Sequence, residues 1–192
     1  MTTKKWLVLA GLVIILAVLV LILFNGGERE KIKHETELSS PKAPSAPRET
    51  VGTRMITLFF LSEDDDLLHP EEREVPAGTT LTDDLETTVV ELIKGSAKDL
   101  IPPFPPETKV RQIFVTKDGV AYVDLTKEVM ENFAYGSSSE MAAVYALVDT
   151  LTVNFKNVKK VSLLIEGGER ETLGGHIDLS RPLSPQYSLI AK

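Results

Sequence analysis

The chain has 192 residues, with 21 Lys and Arg against 28 Asp and Glu and a formal net charge of −7. Residues 55–192 hold 23 acids and 13 bases, a net of −10, whereas residues 1–54 hold 5 acids and 8 bases, a net of +3. A domain at −10 repels nucleic acid and anionic headgroups, and the lack of cysteine excludes disulfides, a thiolate nucleophile, a Cys-based zinc site and a lipidation point.

Residues 6–24 carry no charge and follow Lys4 and Lys5. At about 1.5 Å per residue, such a run spans a hydrocarbon core of roughly 30 Å as a helix. The basic start predicts that residues 1–5 stay in the cytoplasm and that the rest is exported. A cleaved signal peptide is the competing reading. The run exceeds the usual apolar region of about 7–15 residues and lacks a small-x-small cleavage site, which favours an uncleaved single-pass anchor in the inner membrane. Residues 25–54 are polar, with Pro41, Pro44 and Pro47 and no apolar periodicity, and read as a disordered linker with an average span of about 30 Å. Residues 55–192 are long enough for one domain in the periplasm or outside the cell.

Within that domain, residues 55–62 read as a strand covered on both faces, and Asp64-Asp65-Asp66 ends it. A short return arm is expected around residues 72–75. Thr80 with Asp83 predicts a capping box, followed by helical spacing of Leu81, Leu85, Val89, Leu92 and Ile93 up to Gly95. Pro102-Pro103-Phe104-Pro105-Pro106 must be an extended loop. Asp118-Gly119 joins two β-forming runs and predicts a hairpin. Ser137 with Glu140 predicts a second capping box and a helix, with Met141, Val144, Tyr145, Val148, Leu151 and Phe155 on one face. A strand over residues 158–165 and a partly regular tail complete the order. The fold class is α+β, a small two-layer domain with two helices packed on a mixed sheet of about four or more strands.

The inventory of reactive groups is sparse. Asp124 reads as a strand-end residue that caps the following turn rather than an acid–base group. The run Glu63-Asp64-Asp65-Asp66 lacks the spacing of a calcium loop and reads as a solvated acidic turn. His34, His69 and His176 are scattered and form neither H-x-H nor H-E-x-x-H, so no metal ligand set is expected. His176 reads as a structural histidine held by the backbone or by Asp178. Ser137-Ser138-Ser139 lacks a nucleophile elbow, and the Gly pairs at 167–168 and 174–175 are too sparse for a phosphate or dinucleotide loop. No catalytic residue, cofactor or metal is therefore expected. Phe104, Tyr135 and His176 are the candidate contact residues, with burial the alternative for the two aromatics.

Several ordered segments resemble the GerMN domain of sporulation and spore-germination proteins. They are residues 55–62, Glu91-Leu92-Ile93-Lys94-Gly95, residues 118–125, residues 143–151, residues 158–167 and Gly175-His176-Ile177-Asp178-Leu179-Ser180 with Pro182. The resemblance implies an extracytoplasmic, membrane-attached module without known enzymatic activity. It also implies a fold similar to small α/β ring-building domains. The chain departs from the sporulation proteins in having one copy and a helical anchor where they carry a lipidated cysteine and often a tandem. The expectation is a non-enzymatic interaction or assembly module whose partners are envelope proteins or further copies of itself. The alternative is a module for a cell-wall or small-molecule ligand, with the Phe104 loop and residues 174–178 as pocket rims.

Overall fold

The computed structural model describes residues 52–131 and 136–192. The expected anchor at residues 6–24, most of the linker, His34 and Tyr135 lie outside them. Among the described residues no helix is long and apolar enough to cross a membrane.

Strand β1 (Thr53–Leu61) pairs antiparallel with β2 (Leu68–Pro76) across nine residues, from Thr53 opposite Pro76 to Leu61 opposite Leu68. The second arm is thus much longer than the short return expected around residues 72–75. Its charged residues hid the strand, because one of its three buried positions is an acid, Glu71, and the other two are Leu68 and Val75. Helix α1 (Leu81–Ile93) begins with the expected capping box: Asp83 N–H donates to Thr80 Oγ1 (3.1 Å), and Thr80 N–H donates to Asp83 Oδ2 (3.1 Å). Gly95 ends it with a φ of +87°, a left-handed conformation that favours glycine.

The main sheet holds β3 (Val110–Val115), β4 (Val120–Leu125), β5 (Lys160–Ile165) and β6 (Gly168–Glu169), in that spatial order. The β3–β4 hairpin turns through Gly119, whose φ is +89° and where an added Cβ would lie 2.9 Å from the Asn157 carbonyl oxygen. Strands β4 and β5 are parallel and so need a crossover, which holds the short helix α2 (Glu128–Glu131) and the long α3 (Ser137–Asn154). The sheet is therefore mixed and four-stranded with two main helices, as expected. The β1–β2 pair, however, is a separate two-stranded sheet.

Helix α3 explains that separation. Thr57 N–H donates to Asn154 Oδ1 (2.9 Å), Asn154 Nδ2 donates to the Thr57 carbonyl (2.6 Å), and Phe59 N–H donates to Thr150 Oγ1 (3.2 Å). Side chains of a helix thus occupy the backbone groups of β1 that a neighbouring strand would otherwise take. Ile56, Leu58 and Phe60 of β1 still share one core with α1, α3 and the inner face of the main sheet, which presents Ile113, Ala121, Val123, Leu125, Val161, Leu163 and Ile165. Phe104 is fully buried in that core.

The tail closes the domain by isolated contacts. Leu183 and Val161 exchange backbone hydrogen bonds of 2.8 and 2.9 Å beside the start of β5. A 3-10 turn at Tyr187–Leu189 follows, Ile190 bridges to Leu68 in parallel, and Ala191 N–H donates to the Leu68 carbonyl (3.0 Å).

Candidate functional site

Alternation along β3, β4 and β5 puts one set of side chains into the core and the other onto the opposite face of the sheet. The outer set includes Gln112, Phe114, Tyr122, Asp124, Ser162 and Leu164, matched by the strand registers. Phe114 and Tyr122 are cross-strand partners whose rings stack at 4.8 Å between centroids and 7° between planes. Phe114 is 41% exposed, so this stack is accessible apolar surface and not core. Beside it, Arg111 donates to Asp124 Oδ2 (3.0 Å), and Gly167 N–H donates to Asp124 Oδ1 (2.8 Å). Asp124 therefore ties the β5–β6 turn to β3. It does not cap the turn that follows β4, as its place in the sequence suggested.

A second surface feature is an open groove of about 620 Å³ lined by Tyr145, Lys160, His176, Asp178, Arg181 and Ser184, among others. Arg181 donates to Asp178 (3.0 Å), and Ser180 N–H also donates to Asp178 (2.9 Å). The Ser180 bonds and Arg181 hold the Asp178 carboxyl down at about 2. An apolar pocket of about 50 Å³ lies between Leu61, Pro102 and Pro103 on one side and Ser139, Ala142 and Ala146 of α3 on the other. That volume holds little more than a water molecule.

The groove rim is fixed from beneath. Glu140 is fully buried, and its carboxylate accepts N–H bonds from Leu173 (2.9 Å), His176 (2.8 Å) and Ile177 (3.3 Å). Burial pushes its pKa up, but the N–H groups of residues 173–177 outweigh burial and leave it below the ordinary value. The capping box expected with Ser137 does not form: Gly136 is the N-cap residue, and no side chain caps this helix. Glu140 instead turns inward, where residues 173–177 bring it N–H donors in place of water.

Two further buried acids were not anticipated. On β2, Glu71 accepts from Arg73, from Ser96 Oγ (2.6 Å) and from Ala97 N–H (3.1 Å). Arg73 also donates to the Glu91 carboxylate (3.0 Å) and to the carbonyls of Glu91 (3.1 Å) and Gly95 (2.9 Å) at the end of α1. On α3, Asp149 is fully buried, with Gln186 N–H on Oδ1 (2.8 Å) and no partner on Oδ2. Burial pushes its pKa up to about 6.

The three expected contact residues separate. Phe104 is core and offers no contact surface. The His176 ring is exposed on the groove, and only its backbone N–H is held, by Glu140 and not by Asp178. Tyr135 lies outside the described residues. Asp65 of the acidic turn accepts from the His69 ring (2.9 Å). Among the described residues no three His, Cys, Asp or Glu side chains form a group that could hold a metal.

No curated protein matches the chain. Several solved structures share its fold at low identity. One, from Clostridium perfringens and described as a lipoprotein, is 22% identical with a TM-score of 0.51, covering 77% of this chain and 99% of that one. The tandem GerMN domains of the Bacillus subtilis sporulation protein GerM are 20% identical with a TM-score of 0.53, covering 78% of this chain and 51% of that one. The first GerMN domain alone is 22% identical with a TM-score of 0.53, covering 68% of this chain and 97% of that one. This chain therefore spans about half of the tandem structure. Residues 57–171, more than half of the sequence, match the family described as Germane, sporulation and spore germination, and the chain belongs to that family of GerMN domains.

Proposed function

We propose that this protein is a non-enzymatic contact module of the cell envelope, held at the inner membrane by residues 6–24 and working outside the cytoplasm through protein–protein association. The observation that carries this reading is the Phe114–Tyr122 stack on the outer face of the main sheet, where Phe114 is exposed. An accessible aromatic pair flanked by polar side chains is the kind of anchor that protein interfaces use. The uncharged run after Lys4 and Lys5 supports the anchor, and membership of the Germane family supports a module without a reaction of its own.

In-cell crosslinking of the full-length chain should give a discrete product, either a second copy or a defined envelope protein. Phe114→Glu places a charge on the proposed contact and should remove that product while shifting stability by no more than about 1.5 kcal/mol, the worth of a stacked pair. Recovery of monomer alone from the wild-type chain, or a product untouched by Phe114→Glu, would sink the proposal.

A further inference from the structure

The tail from Gln186 to Ala191 lies on a seat of its own. Phe59 of β1, Leu68 of β2, and Ala142 and Ala146 of α3 form a second apolar cluster, separate from the main core, and Leu189 and Ile190 pack on it half-buried. Ile190 and Ala191 extend the end of β2 through Leu68, and Gln186 fastens the other end to Asp149. We propose that residues 186–191 are a releasable strap over this apolar seat, and that ionisation of Asp149 beneath them loosens it.

The closed strap seals a carboxylate away from water with only one of its oxygens bonded. A neutral carboxyl tolerates that position; an ionised one does not, and gains full hydration only when the strap lifts. No charged side chain lies within residues 186–191 to compensate. On the surrounding elements, Lys192 follows the strap, Arg54 on β1 is paired with Asp84, Glu140 on α3 is engaged with residues 173–177, and Lys160 on β5 is exposed. None of them contributes to the Asp149 shift, which comes from burial and is opposed by the Gln186 N–H. The shift to about 6 puts the transition in a mildly acidic range. Lifting the strap would bare Phe59, Leu68, Ala142 and Ala146, which continue into the small pocket at Pro102 and Pro103. The occupant of the seat is this chain's own tail.

Hydrogen–deuterium exchange of the full-length chain, corrected for intrinsic exchange at each pH, tests the strap directly. With a carboxyl at 3.8 when open and about 6 when closed, protection of the Leu189 to Ala191 amides should fall about tenfold between pH 5 and pH 7.5. Asp149→Asn keeps an acceptor for Gln186 and removes the charge, so its protection should not change over that range. Equal wild-type protection at the two pH values would overturn the proposal, as would a tenfold fall that survives in Asp149→Asn. A matching loss in β4 and β5 would overturn it too, because the opening would then be global and not that of a strap.

Discussion

Glu140→Ala should lower the stability of the domain by about 3–5 kcal/mol, seen in urea unfolding and as a fall in Tm of about 10–20 °C. Three backbone N–H groups lose their acceptor at once, and a fully buried volume is emptied beneath the turn that carries His176. The pH dependence separates this role from simple packing. The folded pKa lies below the ordinary 4.5, so the carboxylate stabilises the fold fully above the unfolded value and loses that contribution as pH falls through the folded one. The gap between wild type and Glu140→Ala should therefore narrow in acid. Glu140→Gln should fall between the two, since an amide oxygen replaces one acceptor while its NH2 faces other donors. A gap that stays constant from pH 7 to pH 3 would assign Glu140 a purely steric role.

Arg73→Met should cost a similar amount, about 3–5 kcal/mol, for a different reason. The substitution keeps the apolar stem but strands Glu71, which is only 3% exposed, and leaves the Glu91 and Gly95 carbonyls at the end of α1 without their donor. Burial raises the Glu71 pKa, but the bonds from Ser96, Arg73 and Ala97 outweigh it and hold the carboxyl below its usual range. The double variant Glu71→Gln with Arg73→Met should recover a large share of the loss, because the uncompensated charge is gone. Unfolding free energies for the four proteins of the cycle should give a coupling of about 2 kcal/mol or more. Additive losses would mean that the two residues act independently and that Arg73 works mainly as the cap of α1.

The parts of this fold that were legible in the sequence are those encoded locally. Thr80 and Asp83 announced the start of α1, Asp118-Gly119 announced the β3–β4 hairpin, and the β-formers of residues 55–62 announced β1. The parts that were not depend on partners far along the chain. Thr150 and Asn154 hold β1 from positions more than ninety residues away, and no pattern within either segment records it. Hydropathy places acids outside, so Glu71, Glu140 and Asp149 were invisible as buried groups until their N–H and guanidinium donors were in place. Phe104 shows the opposite failure. A proline-rich loop had to be extended, but nothing in its composition says that its one aromatic turns inward. The outer face of the sheet was likewise unreadable, because Phe114 and Tyr122 sit in runs whose alternation marks two faces without saying which is covered.

The hydrogen bonds from Asn154 and Thr150 to β1 limit how copies of this domain can join. With Thr57 and Phe59 already engaged, β1 accepts no neighbour there, and the main sheet ends in β3 on one side and the two-residue β6 on the other. Among the described residues the edges left for strand addition are then β3 and the stretch of β2 beyond Leu68, which Pro70 and Pro76 interrupt. Two copies meeting through β3 would satisfy one another there as a closed two-fold pair. Growth beyond such a pair is left to the broken β2 edge or to side chains on a face, where single substitutions change the affinity of each joint without exposing an adhesive edge.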